Sequence, residues 1–256
     1  MPGDRLFVQS LQKGLALLEA FGKRPGELSL NELATLAGMD RSAAQRMAHT
    51  LLKLGYLERG AQGRGYTPGR RILDRSFDFL RSRPLIERAT PLVIELQRST
   101  GERVDFSLFD GHSIVYAVRR QSKRETFYAT LAGRRLPSFN TAGGRACLAH
   151  LPRPEVEAML ARADLLPATP KTILDPDALL ARIETARRDG FALAQEEMLL
   201  GEVVVGAAVV DQEGRPVAAM HISGSLAEWP ATRFAARFAP LALEAARALA
   251  GGRGAG

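Results

Sequence analysis

The stretch from Ser29 to Tyr66, SLNELATLAGMDRSAAQRMAHTLLKLGYLERGAQGRGY, constrains this chain more than any other. Ser29 and Glu32 form an S-x-x-E capping box, which satisfies two orphan amides at a helix start. Leu30, Leu33, Ala34 and Ala37 follow at helical spacing, and Gly38-Met39 breaks the pattern. Asp40 is a good N-cap for a second helix, whose Ala43, Ala44, Met47, Ala48, Leu51, Leu52 and Leu54 supply an apolar stripe. Arg41, Ser42, Gln45 and Arg46 are left on the opposite side of its first two turns. Gly55 ends that helix. Tyr56–Arg59 and Arg64–Thr67 then read as two short strands around a glycine-rich tip, with Arg64 placed to reach a phosphate or the minor groove. A helical hairpin with a solvated polar face shows the same spacing. The cap, the turn glycine, the Arg/Gln face and the wing together favour a winged helix-turn-helix, because Arg and Gln carry the paired donors that read guanine and adenine edges.

The charge distribution agrees with that reading. Residues 1–83 hold 14 Lys/Arg against 8 Asp/Glu, so nearly all of the net charge of +7 lies there. A basic module joined to a near-neutral one suits a polyanion on one side and a small molecule or protein on the other. With 256 residues, 46% hydrophobic content and no apolar run near 18 residues, the chain is expected to be well cored and to have no membrane partner. The first residues lack the basic and apolar regions of a secretory signal, which points to the cytoplasm. The single cysteine, Cys147, excludes an internal disulfide and a cysteine-rich zinc site.

Ahead of the motif, Phe7, Val8, Leu11, Leu15, Leu17, Leu18 and Phe21 predict a first helix, the third member of the small DNA-binding core. After the wing, Ile72, Leu73, Ser76, Phe77, Phe79 and Leu80 recur at helical spacing up to Pro84. This connector either packs on the same helix of a second chain or folds back on its own wing domain. From Pro84 a second domain begins, with helices at about 84–100, 141–150, 154–162, 175–189 and 231–250. Strands are expected at 103–109, 113–119, 125–131, 191–196, 203–210 and 216–223, forming a mixed sheet covered by helices, an α+β arrangement in the wider α/β class.

Four segments carry a resemblance: VQSLQKGLALLEAF, LAGMDRSAAQRMAHTLLKLGYLE, TAGGRACLAHL and GFALAQEEMLLGEVVVGAAVVDQEGRPVAAMHISGS. Together, and in this order, the chain resembles the IclR family of bacterial transcription regulators from about Phe7 to Ala250. The resemblance implies a winged helix-turn-helix domain (5–69), a linker helix (70–83) and a GAF-like effector-binding domain (84–250), and the glycine-rich residues 251–256 read as a disordered tail. It implies a homodimer or dimer of dimers on double-stranded operator DNA near catabolic genes, answering to a small carboxylate. The family's recognition-helix contacts fall on Arg41, Ser42, Ala43, Gln45 and Arg46. Its effector pocket falls on Ala142, Gly143, the strand from Ala194 to Glu196, Val204 and Ser223. Some family members that bind small oxo acids carry Asp and Cys where Ala194 and Val204 stand here, which leans this pocket toward a larger or aromatic acid.

The residues add their own reading of the pocket. Gly143-Gly144 at a helix start would let an anion approach free amides. The two-residue strand period puts His221 on the face of Ser223, either as a neutral or cationic partner for a ligand or as a satisfied core histidine. Arg119, Arg120 and Arg124 are candidate counter-charges or a solvated basic cluster. No enzyme reading gathers support, and no cofactor is called for: the four histidines have no metal-ligand spacing, and Glu196-Glu197, as strand neighbours, should point to opposite faces. The alternative function is a redox sensor acting through Cys147 near the start of a helix.

Overall fold

The computed structural model describes residues 5–61, 63–122 and 132–251, in two compact units that divide between Phe79 and Leu80. In the first, α1 (Gln9–Lys23), α2 (Leu30–Leu36) and α3 (Arg41–Lys53) precede a wing of β1 (Leu57–Arg59) and β2 (Tyr66–Pro68). Leu17, Ala20, Leu28, Leu33, Ala44, Ala48, Leu57 and Tyr66 form its core. Leu28 forms an isolated bridge to the wing, exchanging amide and carbonyl with Tyr66 at 3.0 and 2.8 Å. The apolar stripe expected for the first helix divides: on α1 Leu17 and Ala20 are buried while Leu11 and Leu15 stay exposed, and Phe7 and Val8 lie ahead of the helix and are exposed as well. Then α4 (Arg71–Arg81) buries no residue, and Leu73 and Phe77 are 70% and 63% exposed.

The second unit is built on a six-stranded sheet in the order β5-β4-β3-β8-β7-β6. Its strands are β3 (Arg103–Asp110), β4 (Ser113–Arg120), β5 (Arg135–Pro137), β6 (Ala192–Gln195), β7 (Glu202–Val210) and β8 (Pro216–Ser225). Every pairing is antiparallel, where the sequence suggested a mixed sheet. The difference is one of topology: β3 and β4 form a hairpin, β7 and β8 another, and β8 returns beside β3, so no parallel crossover arises. The strand expected at 125–131, Arg124, and residues 252–256 of the tail lie outside the described residues.

The two faces of this sheet differ in chemistry. On one, Val104, Phe106, Val203, Val205, Ala207, Val209, Ala218, Met220 and Ile222 pack against α5 (Pro84–Thr100) and α9 (Ala231–Leu249). The other carries Asp105, Ser107, His221, Ser223 and Val204 under α6 (Ala142–Leu148), and α7 (Arg153–Leu160) and α8 (Pro176–Asp189) complete a second core there. Strand alternation assigns these sides, so the apolar face packs on α5 and α9 and the polar face lies under α6.

Candidate nucleic-acid interface and ligand cavity

Local chemistry builds the reading head. Ser29 Oγ accepts from Glu32 N at 3.3 Å and Glu32 returns a bond to Ser29 N at 2.8 Å, the reciprocal box expected. Those bonds, first from the Ser29 backbone, then from its hydroxyl and from Arg24, hold the Glu32 carboxyl down at about 2. Gly38 turns the chain at a φ of 65°, and Asp40 caps α3 by accepting from Ala43 N at 2.8 Å. Arg41, Ser42, Gln45 and Arg46 are exposed on one face, together with His49 and Thr50. Ala43 differs from the expectation. Its methyl is 2% exposed, turned into the helix packing beside Ala44, so it offers no side chain to a groove.

Arg64 is exposed at the wing tip, where Gly63 takes a φ of 70°. Arg59 of β1 lies 4.5 Å over the Tyr66 ring. Together with Ser42, Gln45, Arg46 and His49 these two line a concavity of about 550 Å³ between α3 and the wing. Arg59 and His49 were not singled out in the sequence, where a three-residue strand and the second half of a helix give too little pattern to fix a side chain's direction.

Register assembles the second site. Arg119, Asp105, His221 and Gly206 are successive cross-strand partners over β4, β3, β8 and β7, and Arg103, Ser223, Val204 and Ala194 form the neighbouring row over β3, β8, β7 and β6. Directly opposed residues of antiparallel strands share a face. Above these rows is a cavity of about 240 Å³. Of the effector candidates, Ala142, Ala194, Glu196, Val204 and His221 line it, and Gly143 and Ser223 do not.

Gly143 and Gly144 serve packing instead of ligand approach. A Cβ on Gly143 would sit 2.5 Å from His221 Nε2, one on Gly144 would strike Ser138, and one on Gly206 would meet Gly143 Cα at 2.7 Å. These glycines let α6 rest directly on β7 and β8. Ser223 shares His221's face but is covered: Arg103 donates to its Oγ at 3.0 Å while holding Asp105 at 3.1 Å and Glu202 at 2.6 Å.

Asp105 is fully buried and also takes two bonds from Arg119, both at 3.0 Å. The Arg119 guanidinium lies 3.7 Å over the ring of Tyr116. Arg120 is exposed and does not line the cavity. Burial, and after it the charge of Asp105, pushes the Tyr116 phenol above its ordinary range. His221 is 1% exposed, 5.4 Å from the Tyr116 ring, with Nε2 2.7 Å from Ser107 Oγ. Burial lowers its pKa to about 4, with Arg119 and Arg103 acting in the same direction against Asp105. It is therefore neutral near pH 7, and the cationic role drops out. Ser107 is fully buried behind it, so the pair does not present a nucleophile to the cavity.

Glu196 and Glu197 both line the cavity, contrary to the strand-neighbour expectation. The strand ends at Gln195, and Glu196 takes a φ of 56°, which turns the chain so that consecutive side chains face one space. Each carboxylate is engaged: Glu196 accepts from Gly201 N at 3.0 Å, and Glu197 pairs with Arg145. Arg145 is 1% exposed and donates to Phe139 O at 2.8 Å. A buried arginine in a short Gly/Ala helix carried no signal in the sequence, since its partner lies 52 residues away.

Cys147 is fully buried, its Sγ donates to Ala218 O at 3.2 Å, and burial pushes the thiol far above the usual range. A thiolate is thus unavailable, which removes the redox reading. Among the described residues no three His, Cys, Asp or Glu side chains gather as a metal site, and no helix is long and apolar enough to cross a membrane.

Comparison with known proteins agrees with both halves. The IclR helix-turn-helix domain matches residues 10–61, and the C-terminal domain of bacterial transcriptional regulators of the IclR type matches residues 77–250. The chain is 30% identical to the Pca regulon regulatory protein of Pseudomonas putida over 248 residues, covering 96% of this chain and 84% of that protein. It is 30% identical to the p-hydroxybenzoate hydroxylase transcriptional activator of Acinetobacter baylyi, covering 84% of this chain and 80% of that protein. A crystal structure of a transcriptional regulator from Rhodococcus sp. RHA1 superposes with a TM-score of 0.79 at 30% identity, covering 95% of this chain and 97% of that one. The chain belongs to the IclR family of DNA-binding bacterial transcriptional regulators.

Proposed function

We propose that the protein is a cytoplasmic regulator, not an enzyme, that binds an inverted-repeat operator as a dimer or a dimer of dimers and alters its affinity when a small carboxylate, leaning to an aromatic acid, enters the cavity of the second unit. The observation that carries the DNA half is the exposed Arg41, Ser42, Gln45 and Arg46 face of a capped helix beside a wing. Arg46 and Gln45 read base edges, while Arg64 and Arg59 meet phosphates. The exposed Leu73 and Phe77 of α4 supply an apolar surface for a second copy.

The lining of Ala142, Ala194, Val204 and Leu136 with the Tyr116 ring favours an apolar body, and Arg134 at the cavity offers a cation. The volume of about 240 Å³ is below the roughly 300–1,000 Å³ typical of drug-sized ligands and suits a compact acid. The names of the two relatives, a Pca regulon regulator and a p-hydroxybenzoate hydroxylase activator, point the same way. The ligand then shifts operator affinity by its differential affinity for two arrangements of the protein.

Selection from a pool of random duplexes with the full chain tests the DNA half. Enrichment of a two-fold symmetric site, lost with Arg46→Ala, is the expected result. Equal enrichment with the variant would show that another face reads the DNA.

A further inference from the structure

The two ends of α3 are held by different means. Near its start Asp40 caps the helix and Ala43, Ala44 and Ala48 are buried in the core. From His49 to Leu54 every residue is half-buried or exposed, and burial resumes only at Leu57, beyond the turn. The last turn is also where helix carbonyls lack intrahelical donors.

The chain entering α4 closes on this end at three points. Gly69 N donates to Tyr56 O at 2.8 Å. A Cβ on Gly69 would lie 2.2 Å from Gly55 O and 2.9 Å from Tyr56 C, so the absence of a side chain is what lets the two backbones touch. Arg71 Nη1 donates to the carbonyl of Leu54, the C-cap of α3, at 3.1 Å, and its guanidinium lies 5.7 Å from the centroid of the Tyr56 ring. A helix C-terminus and an aromatic face each attract a cation, so both contacts favour the same placement of the guanidinium.

Two separated anchors fix a helix axis where one leaves a pivot. At about 1.5 Å per residue, Ala44 and Leu54 are roughly 15 Å apart along α3. A 3 Å displacement of the Leu54 end about the buried alanines would tilt the axis by about 11°, which is within the roughly 10–20° that a functional constellation tolerates at most.

We propose that Arg71 is a positioning residue for operator reading: from outside the reading face, and with Tyr56 and Gly69, it sets the axis of α3 and so the sequence preference of Gln45 and Arg46. The proposal rests on the reading of DNA by α3 and is independent of the effector of the second unit.

Anisotropy titrations of the full chain on the selected operator and on a scrambled duplex of equal length, over a range of salt and well below each thermal midpoint, test this. Arg71→Gln and Tyr56→Leu should each lower the ratio of operator to scrambled affinity about tenfold. Affinity for the scrambled duplex should stay within about threefold, and the salt slope should not change. The double variant should be no more than about twofold worse than either single one, since both break the same contact. Arg71 is exposed, so Arg71→Gln folds and decides alone if Tyr56→Leu does not. Equal weakening on both duplexes, with a salt slope shallower by about 0.9, would make Arg71 a phosphate contact and overturn the proposal. Additive losses, or a lowered thermal midpoint with the operator ratio of the parent, would overturn it as well. In each of these cases loss of the preference in Arg46→Ala keeps the reading by α3 standing. A preference retained in Arg46→Ala would overturn that reading, and the proposal with it.

Discussion

Replacing Gly143 by alanine should reveal how closely α6 is set on the sheet. The added Cβ would lie 2.5 Å from His221 Nε2 and 2.8 Å from Nδ1, well inside contact distance. The imidazole cannot yield cheaply, because it is 1% exposed and bonded to Ser107 at 2.7 Å. Overpacking a filled core costs about 1–3 kcal/mol, and losing the Ser107 bond adds about 1 kcal/mol. For a unit of this size a total of about 2–4 kcal/mol lowers the thermal midpoint by roughly 5–15 °C. Differential scanning calorimetry of the parent, Gly143→Ala, His221→Ala and the double variant gives the coupling. Gly143→Ala should cost much less once the imidazole is gone, with a coupling of about 1–3 kcal/mol. Gly206→Ala provides the contrast, since its Cβ would meet Ala142 C at 2.5 Å and Gly143 Cα at 2.7 Å, and no side-chain truncation relieves backbone. A Gly143→Ala midpoint within about 1 °C of the parent, or strictly additive costs, would refute the close approach of α6 to β8.

Three further predictions follow from the same geometry. Arg46→Ala should weaken specific binding to a selected operator by about 1–3 kcal/mol and relax preference at one position of each half-site, read by anisotropy at fixed salt. His221 accepts a proton near 6.5 when unfolded but only at about 4 when folded. The unfolded state therefore binds more protons between those values, and stability falls as pH drops through them. His221→Gln should remove a pH-dependent loss on the order of 2–3 kcal/mol, seen as a flatter urea midpoint from pH 7 to pH 4. Arg145→Met leaves Glu197 buried without its cation, at a cost of about 3–5 kcal/mol, while Arg145→Met with Glu197→Leu should recover much of it. An equal loss in the double variant would contradict the pairing.

What could be read from the sequence was the chemistry of neighbours. The Ser29–Glu32 box, the Asp40 cap and the turn at Gly38 act within a few residues, and the structure holds each of them. The site is different in kind. His221 meets Ser107 over 114 residues and Arg103 reaches Ser223 over 120, so the polar face depends on β3 finding β8, which no local pattern encodes. The left-handed turn at Glu196 defeated the alternation rule because glutamate rarely adopts it. Gly143 and Gly144 were legible as places of close approach, but the sequence did not tell whether a ligand or a strand came near.

In the proposed mechanism one chain couples an acid in the second unit to DNA on the first. Anisotropy titration of the full chain onto a labelled operator, with and without a saturating acid that calorimetry shows to bind, tests it directly. The expected result is a shift in operator affinity of about 5–150-fold, corresponding to about 1–3 kcal/mol of coupling, and the reciprocal shift in acid affinity when operator is present. Identical operator binding with the cavity full and empty would contradict it.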